Sequence, residues 1–93
     1  MDDVAVLVLM SVASEAKHGY AMQRDIERFA GRRLGPGTLY GAIARLEAKG
    51  FIEAVERDER RKPYAITDDG KAELDARLAA LRRVVVEGDR RLA

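Results

Sequence analysis

The sequence predicts a mainly helical fold carrying one small β-hairpin, and three observations predict it. Apolar residues recur at helical spacing in Met22, Ile26 and Phe29, and again in Leu39, Ala42, Ile43 and Leu46. Between Phe51 and Ile66 the period shortens to two on either side of a polar, basic stretch, the pattern of a hairpin. Beyond Thr67 a long helical run places Leu74, Leu78, Leu81, Val85, Gly88 and Leu92 at alternating spacings of four and three. That is a heptad seam rather than a globular face.

Val4 to Ala13 is apolar on all sides, so periodicity alone leaves a helix and a buried strand both open. As a helix it needs cover on more than one side. A three-helix core offers too little, so a second surface of this helix is expected to face a partner chain. Ser14 to Lys17 then turns the chain. A second helix runs from about Gly19 to Ala30, entered at His18, which can offer a local cap; the lone histidine has no cysteine or second histidine with which to share a metal. Tyr20 lies off the apolar stripe, where it meets phosphate or packs on a neighbour.

The third helix begins at Pro36, whose missing N–H has no partner in a first turn anyway. Gly35 stands at its N-cap, where glycine is only slightly weaker than serine or asparagine. Gly50 follows it, where a helix end calls for positive φ. Opposite its apolar stripe lie Gly37, Gly41, Ala44 and Ala48, flanked by Thr38 and Arg45 on one side and Tyr40 on the other. A face so small-sided can lie close against something broad, and a DNA major groove is wide enough to admit it.

Phe51 to Arg57 reads as a strand, with Ile52 and Ala54 alternating against Glu53, and Asp58 to Lys62 as its polar tip. Pro63 cannot donate to a ladder and belongs at a strand start or edge; Tyr64 to Ile66 is the return strand. Thr67 caps the last helix, and Asp68 and Asp69 complement its dipole. Gly88 weakens that helix by roughly 1 kcal/mol relative to alanine. Two helices joined by the glycine-bearing linker Gly31 to Gly35 fit a helix-turn-helix, and the hairpin with a basic tip is a wing. The expected organisation is a winged helix-turn-helix over residues 1–67 and a long C-terminal dimerisation helix over 68–93.

Four motifs in order carry a family resemblance. They are His18-Gly-Tyr20; Pro36-Gly-Thr-Leu-Tyr40 with Arg45-Leu-Glu-Ala-Lys-Gly-Phe-Ile52; Arg60-Arg-Lys-Pro-Tyr64; and Ile66-Thr-Asp-Asp-Gly70. Together they resemble the signature of PadR-type transcriptional regulators, which are winged helix-turn-helix proteins. Gly41 departs from that pattern, standing where many members carry proline. The resemblance favours a helix for Val4 to Ala13. It also implies a repressor, often of detoxification or efflux genes, and in some members a small aromatic or drug-like effector at or near the dimer interface. No residue here fixes such a ligand.

Composition bounds the rest. Ninety-three residues, 47% hydrophobic and 35% charged, make one small globular domain, of a size that often gains stability by associating. The absence of cysteine excludes disulfides and thiolate metal sites and fits a cytoplasmic protein. The first apolar run is too short to span a bilayer and lacks the basic flank of a signal peptide, so no membrane partner is expected. Net charge is only +1, but residues 32–62 hold eight Lys/Arg against five acids. Gly35-Pro-Gly37 lacks the Lys-Ser/Thr of a phosphate loop, and neither Ser11 nor Ser14 has a histidine–acid pair. No enzyme and no cofactor is expected.

The expected DNA-binding residues are Arg33, Pro36, Gly37, Thr38, Tyr40, Arg45, Arg57, Arg60, Arg61 and Lys62. The expected dimer interface is Val4, Leu7, Val8, Leu74, Leu78, Leu81, Val85 and Leu92. The expected partners are a second copy of the chain and double-stranded DNA with an inverted-repeat operator. The alternative is a winged-helix module that holds another protein. Its recognition face would carry bulky apolar anchors, where this chain offers glycine, alanine, Thr38, Arg45 and one tyrosine.

Overall fold

The computed structural model describes residues 3–55 and 62–93. Among these, four helices and a two-stranded antiparallel hairpin follow in the order α1 (Asp3–Ala13), α2 (Gly19–Ala30), α3 (Pro36–Ala48), β1 (Ile52–Ala54), β2 (Tyr64–Ile66) and α4 (Asp68–Leu92). The element ends are those local chemistry dictates. His18 Nδ1 accepts from the Ala21 N–H at 3.4 Å, and Gly31 closes α2 in the left-handed region at φ 63°. Pro36 opens α3, and Gly50, at φ 78°, ends it. There the Phe51 N–H reaches back to the Leu46 carbonyl and the Gly50 N–H to that of Glu47, each at 3.0 Å. This paired C-terminal motif satisfies carbonyls the helix leaves open and turns the chain straight into β1. Thr67 Oγ1 accepts from the Gly70 N–H at 3.0 Å and so caps α4.

Helix α1 is the hub. Val4, Ala5, Val6, Val8, Leu9, Ser11 and Val12 are all buried, because α2, α3, α4 and β2 all pack on it. The expectation that α1 turns a second face to a partner chain is corrected for Val4 and Val8: α4 and the hairpin, which a three-helix core leaves out of account, supply their cover. Among its apolar residues Leu7, half-buried, Met10, 37% exposed, and the terminal Ala13 remain open. Met22 and Ile26 are fully buried as the periodicity implied, but Phe29 is 42% exposed. The last turn of α2 runs past the core, and every residue from Glu27 to Arg33 is exposed. Leu34 then returns to the interior, where its carbonyl accepts from Gln23 Nε2 at 2.7 Å.

The hairpin pairs Ile52 with Ile66, Glu53 with Ala65 and Ala54 with Tyr64. The strand expected to run from Phe51 to Arg57 is described only as Ile52–Ala54, with one further bond from the Val55 N–H to the Pro63 carbonyl. A third strand-like contact was not evident from the sequence. Lys17 and Tyr64 exchange both backbone bonds, at 3.0 and 2.9 Å, so the turn before α2 extends the sheet by one bridge. Gly70 and Leu74, in the first turns of α4, are buried with the core. Leu78 and Leu81 are half-buried against it, and Val85 and Leu92 are 58% and 88% exposed.

Candidate nucleic-acid interface

Helix α3 buries Leu39, Ala42, Ile43 and Leu46, the stripe its sequence displays. Pro36, Gly37, Thr38, Ala44 and Ala48 are exposed on the remaining surface, which Gly41 completes. The two edges of this face differ. On one edge Thr38 and Arg45 are both exposed, and the Arg45 guanidinium lies back along the helix over Gly41, 3.4 Å from where a Cβ there would stand. Helical side chains lean toward the N-terminus, so this cation is carried toward the helix start, where a groove would be entered.

The other edge carries Tyr40 and Glu47, and it faces the protein. The Tyr40 ring is 53% exposed, yet it rests on the backbone at Gly19, the first residue of α2. Tyr64 of the hairpin lies beside the same edge. Its hydroxyl ionises above the usual tyrosine range, first because it is partly buried and then because Glu47 and Tyr40 face it. Arg33, in the linker before α3, and Lys62, before β2, are exposed. Arg57, Arg60 and Arg61, expected on the wing, lie outside the described residues.

One group beside this face has a weak sequence signal in the (i, i+4) spacing of Tyr20 and Arg24. The His18 and Tyr20 rings stack with centroids 6.5 Å apart, 9° from parallel, and the Arg24 guanidinium covers Tyr20 at 5.8 Å. Tyr20, left open between phosphate and packing, is 61% exposed and held by its neighbours. Beneath it a polar network ties α1 to α2. The Ser11 hydroxyl donates to Asp25 at 2.9 Å, Arg28 pairs with Asp25 at 3.0 Å, and Lys17 donates to the Ser11 carbonyl. Partial burial pushes the Asp25 carboxyl up, but Ser11, Arg28 and Lys17 outweigh it and hold it below the usual range.

The expected dimer residues divide by burial. Val4, Val8 and Leu74 are covered by their own chain, which leaves Leu7, Leu78, Leu81, Val85 and Leu92 with open surface. Leu78, Leu81 and Val85, with Arg82 and Val86, line an open apolar groove of about 330 Å³. Val84 and Val86, each 67% exposed, were not among the expected residues, although the run Val84 to Val86 is plain in the sequence. Among the described residues no three His, Cys, Asp or Glu side chains group as a metal site, and no helix is long and apolar enough to cross a membrane.

This arrangement is shared. The family model of the transcriptional regulator PadR-like family matches residues 8–76. An uncharacterised 37.1 kDa protein of a Streptomyces fradiae transposon is 41% identical over 83 residues; the match takes in 89% of this chain but only 24% of that protein. A transcriptional regulator of Mycobacterium tuberculosis is 34% identical over 87 residues, covering 90% of this chain and 80% of the relative. Among solved structures, a PadR family transcription regulator of Clostridium difficile superposes with a TM-score of 0.88 over 99% of this chain and 100% of that one; at 23% identity it is the fold that is shared. The fold, the motifs and the match over most of its length agree, and the chain belongs to the PadR-like family of transcriptional regulators.

Proposed function

We propose that this chain is a sequence-specific repressor that binds an inverted-repeat operator in double-stranded DNA as a homodimer. The observation that carries the reading is the exposed face of α3: small residues at its centre, with Thr38 and Arg45 both exposed along one edge. Pro36 and Gly37 let the helix start approach the groove floor, and Arg45 has the fork geometry suited to guanine or phosphate. Arg33 and Lys62 extend the cationic surface, and the sequence adds Arg57, Arg60 and Arg61 between the two strands. Of the large anchors that a protein-binding face would favour, α3 exposes one, Tyr40.

The dimer is read from α4. Residues 1–67 form the head and 68–93 the pairing helix, whose first turns also complete the head's core. Leu78, Leu81, Val85 and Leu92 continue the seam past the point where their own chain can cover it, and Leu7 and Met10 of α1 add open apolar surface. A two-fold axis through that seam presents two copies of α3 to half-sites about one DNA turn, roughly 34 Å, apart. A small aromatic or drug-like effector acting at the seam would relieve repression by shifting that spacing.

Selection of bound sequences from random duplex DNA by the purified protein tests the reading. The expected outcome is an inverted repeat, with Arg45→Ala costing about 1–3 kcal/mol and relaxing preference at one position if Arg45 reads a base. A pool without enrichment contradicts it. So do Arg45→Ala and Thr38→Ala variants that both bind the selected duplex as tightly as wild type.

A further inference from the structure

The segment Lys17–Gly19 touches both surfaces that a winged helix uses. On one side Lys17 exchanges both backbone bonds with Tyr64 of β2, so the wing strand is tied to the start of α2. On the other, Gly19 is buried beneath the Tyr40 ring. A Cβ added at Gly19 would stand 2.6 Å from Tyr40 Cζ and 2.7 Å from Cε1, with the hydroxyl oxygen closer still. Gly19 is not at positive φ, and glycine is a poor helix former. Its use at this position is the space it leaves.

We propose that Gly19 is a positioning residue for DNA reading: its bare backbone is the seat for the Tyr40 ring, which braces the recognition helix against α2 and the wing. Tyr40 then acts as a strut along the protein-facing edge of α3, leaving Thr38 and Arg45 on the open edge to meet the duplex. The geometry around it is consistent. Glu47 shares that edge two turns on and faces Tyr64, so recognition helix, α2 entry and wing strand meet at one junction. Rotation of α3 about its own axis would have to lift the ring from its seat. Since side chains must sit within about half an ångström of productive geometry, a lost seat weakens every base and phosphate contact together.

This inference rests on the DNA-binding reading above, and three variants separate the two. The ring's far end can swing into solvent, so Gly19→Ala is expected to fold and to melt within a few degrees of wild type while unseating Tyr40. In wild-type protein, nuclear Overhauser contacts between the Gly19 α-protons and the Tyr40 ring should be present; in Gly19→Ala they should be gone. Affinity for the selected duplex should fall about tenfold in Gly19→Ala and about tenfold in Tyr40→Ala. In the double variant it should again fall about tenfold rather than a hundredfold, because both substitutions remove one interaction. The loss should be uniform across base substitutions in the operator, with an unchanged salt slope, since no phosphate contact is removed. Multiplying losses in the double variant overturn the inference. So does wild-type affinity in Gly19→Ala, or a Tyr40→Ala effect confined to one base position, which would make Tyr40 a reader. Should Gly19→Ala fail to fold, Tyr40→Ala, which empties an exposed edge, still decides by its uniformity. A wild-type chain that selects no duplex overturns the DNA reading and this role with it.

Discussion

Gly70→Ala and Gly88→Ala make the same chemical change in one helix, and the structure sends them in opposite directions. Neither glycine is at positive φ, so alanine gains up to about 1 kcal/mol of helix propensity at both. Nothing lies within 4 Å of a Cβ at Gly88, and the gain is kept. At Gly70 a Cβ would stand 2.8 Å from Ile66 Cγ1 and 2.9 Å from the Phe51 carbonyl carbon, with the carbonyl oxygen closer still. A backbone carbonyl cannot swing aside. Relief requires the start of α4 to lift from Phe51, loosening the Thr67 N–H bond to the Phe51 carbonyl at 3.1 Å and the Thr67 hydroxyl bond to the Gly50 carbonyl at 2.6 Å. Overpacking costs about 1–3 kcal/mol and each hydrogen bond about 1 kcal/mol. Less the propensity gain, Gly70→Ala should destabilise by about 2–4 kcal/mol. For a domain of this size each kcal/mol moves Tm by about 4–8 °C, so a fall of at least about 8 °C is expected, against a rise of a few degrees for Gly88→Ala. Circular dichroism melts at one fixed protein concentration measure both, because association itself shifts Tm. Gly70→Ala melting at or above wild type would refute the close approach of α4 to Phe51 and Ile66; a loss at Gly88 would mark a partner helix packed at that point.

Leu81→Glu places a carboxylate in the apolar groove beside Leu78 and Val85 and should convert a dimer to a monomer of 10.3 kDa with its helix content kept; sedimentation equilibrium that finds no change in mass counts against the seam. Asp25 is held below the usual aspartate range by Ser11, Arg28 and Lys17, the last also 4.0 Å from Glu15. A depressed carboxylate contributes stability above its unfolded pKa of about 4 and loses it as pH falls through the folded value. Asp25→Asn should therefore lower Tm at neutral pH and flatten the acid limb of the Tm–pH curve, and an unchanged acid limb would set the network aside. Arg60→Ala/Arg61→Ala, in the basic run before Pro63, should reduce the log K against log salt slope by about 1.8 if both side chains meet phosphate; an unaltered slope would count against a DNA contact by that run.

What was legible in the sequence was local. Pro36, Gly50 and Thr67 announce helix ends because capping depends on a few neighbouring atoms, and those ends fall where the residues place them. The buried stripe of α3 follows from spacing alone, and with it the identity of the exposed face. Long-range cover was not legible. Nothing between Val4 and Val12 says that α4 and β2 will enclose that helix, and so its apolar surplus reads as a partner face. Phe29 obeys the period of α2 but sits past the end of the core, a fact about the length of its neighbours. The Lys17–Tyr64 bridge spans the helix-turn-helix and the wing and leaves no periodic trace. Gly19 reads as a weak helix start, and its meaning appears only once Tyr40 is laid upon it.

The rising exposure along α4, from Leu74 at 8% to Leu92 at 88%, bears on how such a regulator would sense its own abundance. The anchored end folds with the head, so each newly made chain carries a preformed, half-solvated arm kept helical by its own pairs, Glu73 with Arg77 and Glu87 with Arg91. Pairing through that arm, as proposed, would cost little reordering, and the dimer population in dilute conditions would rise with the square of chain number. A promoter controlled in this way would respond to doubled expression more steeply than in proportion. Cell growth and division, which dilute the chain, would loosen control before any small molecule arrived.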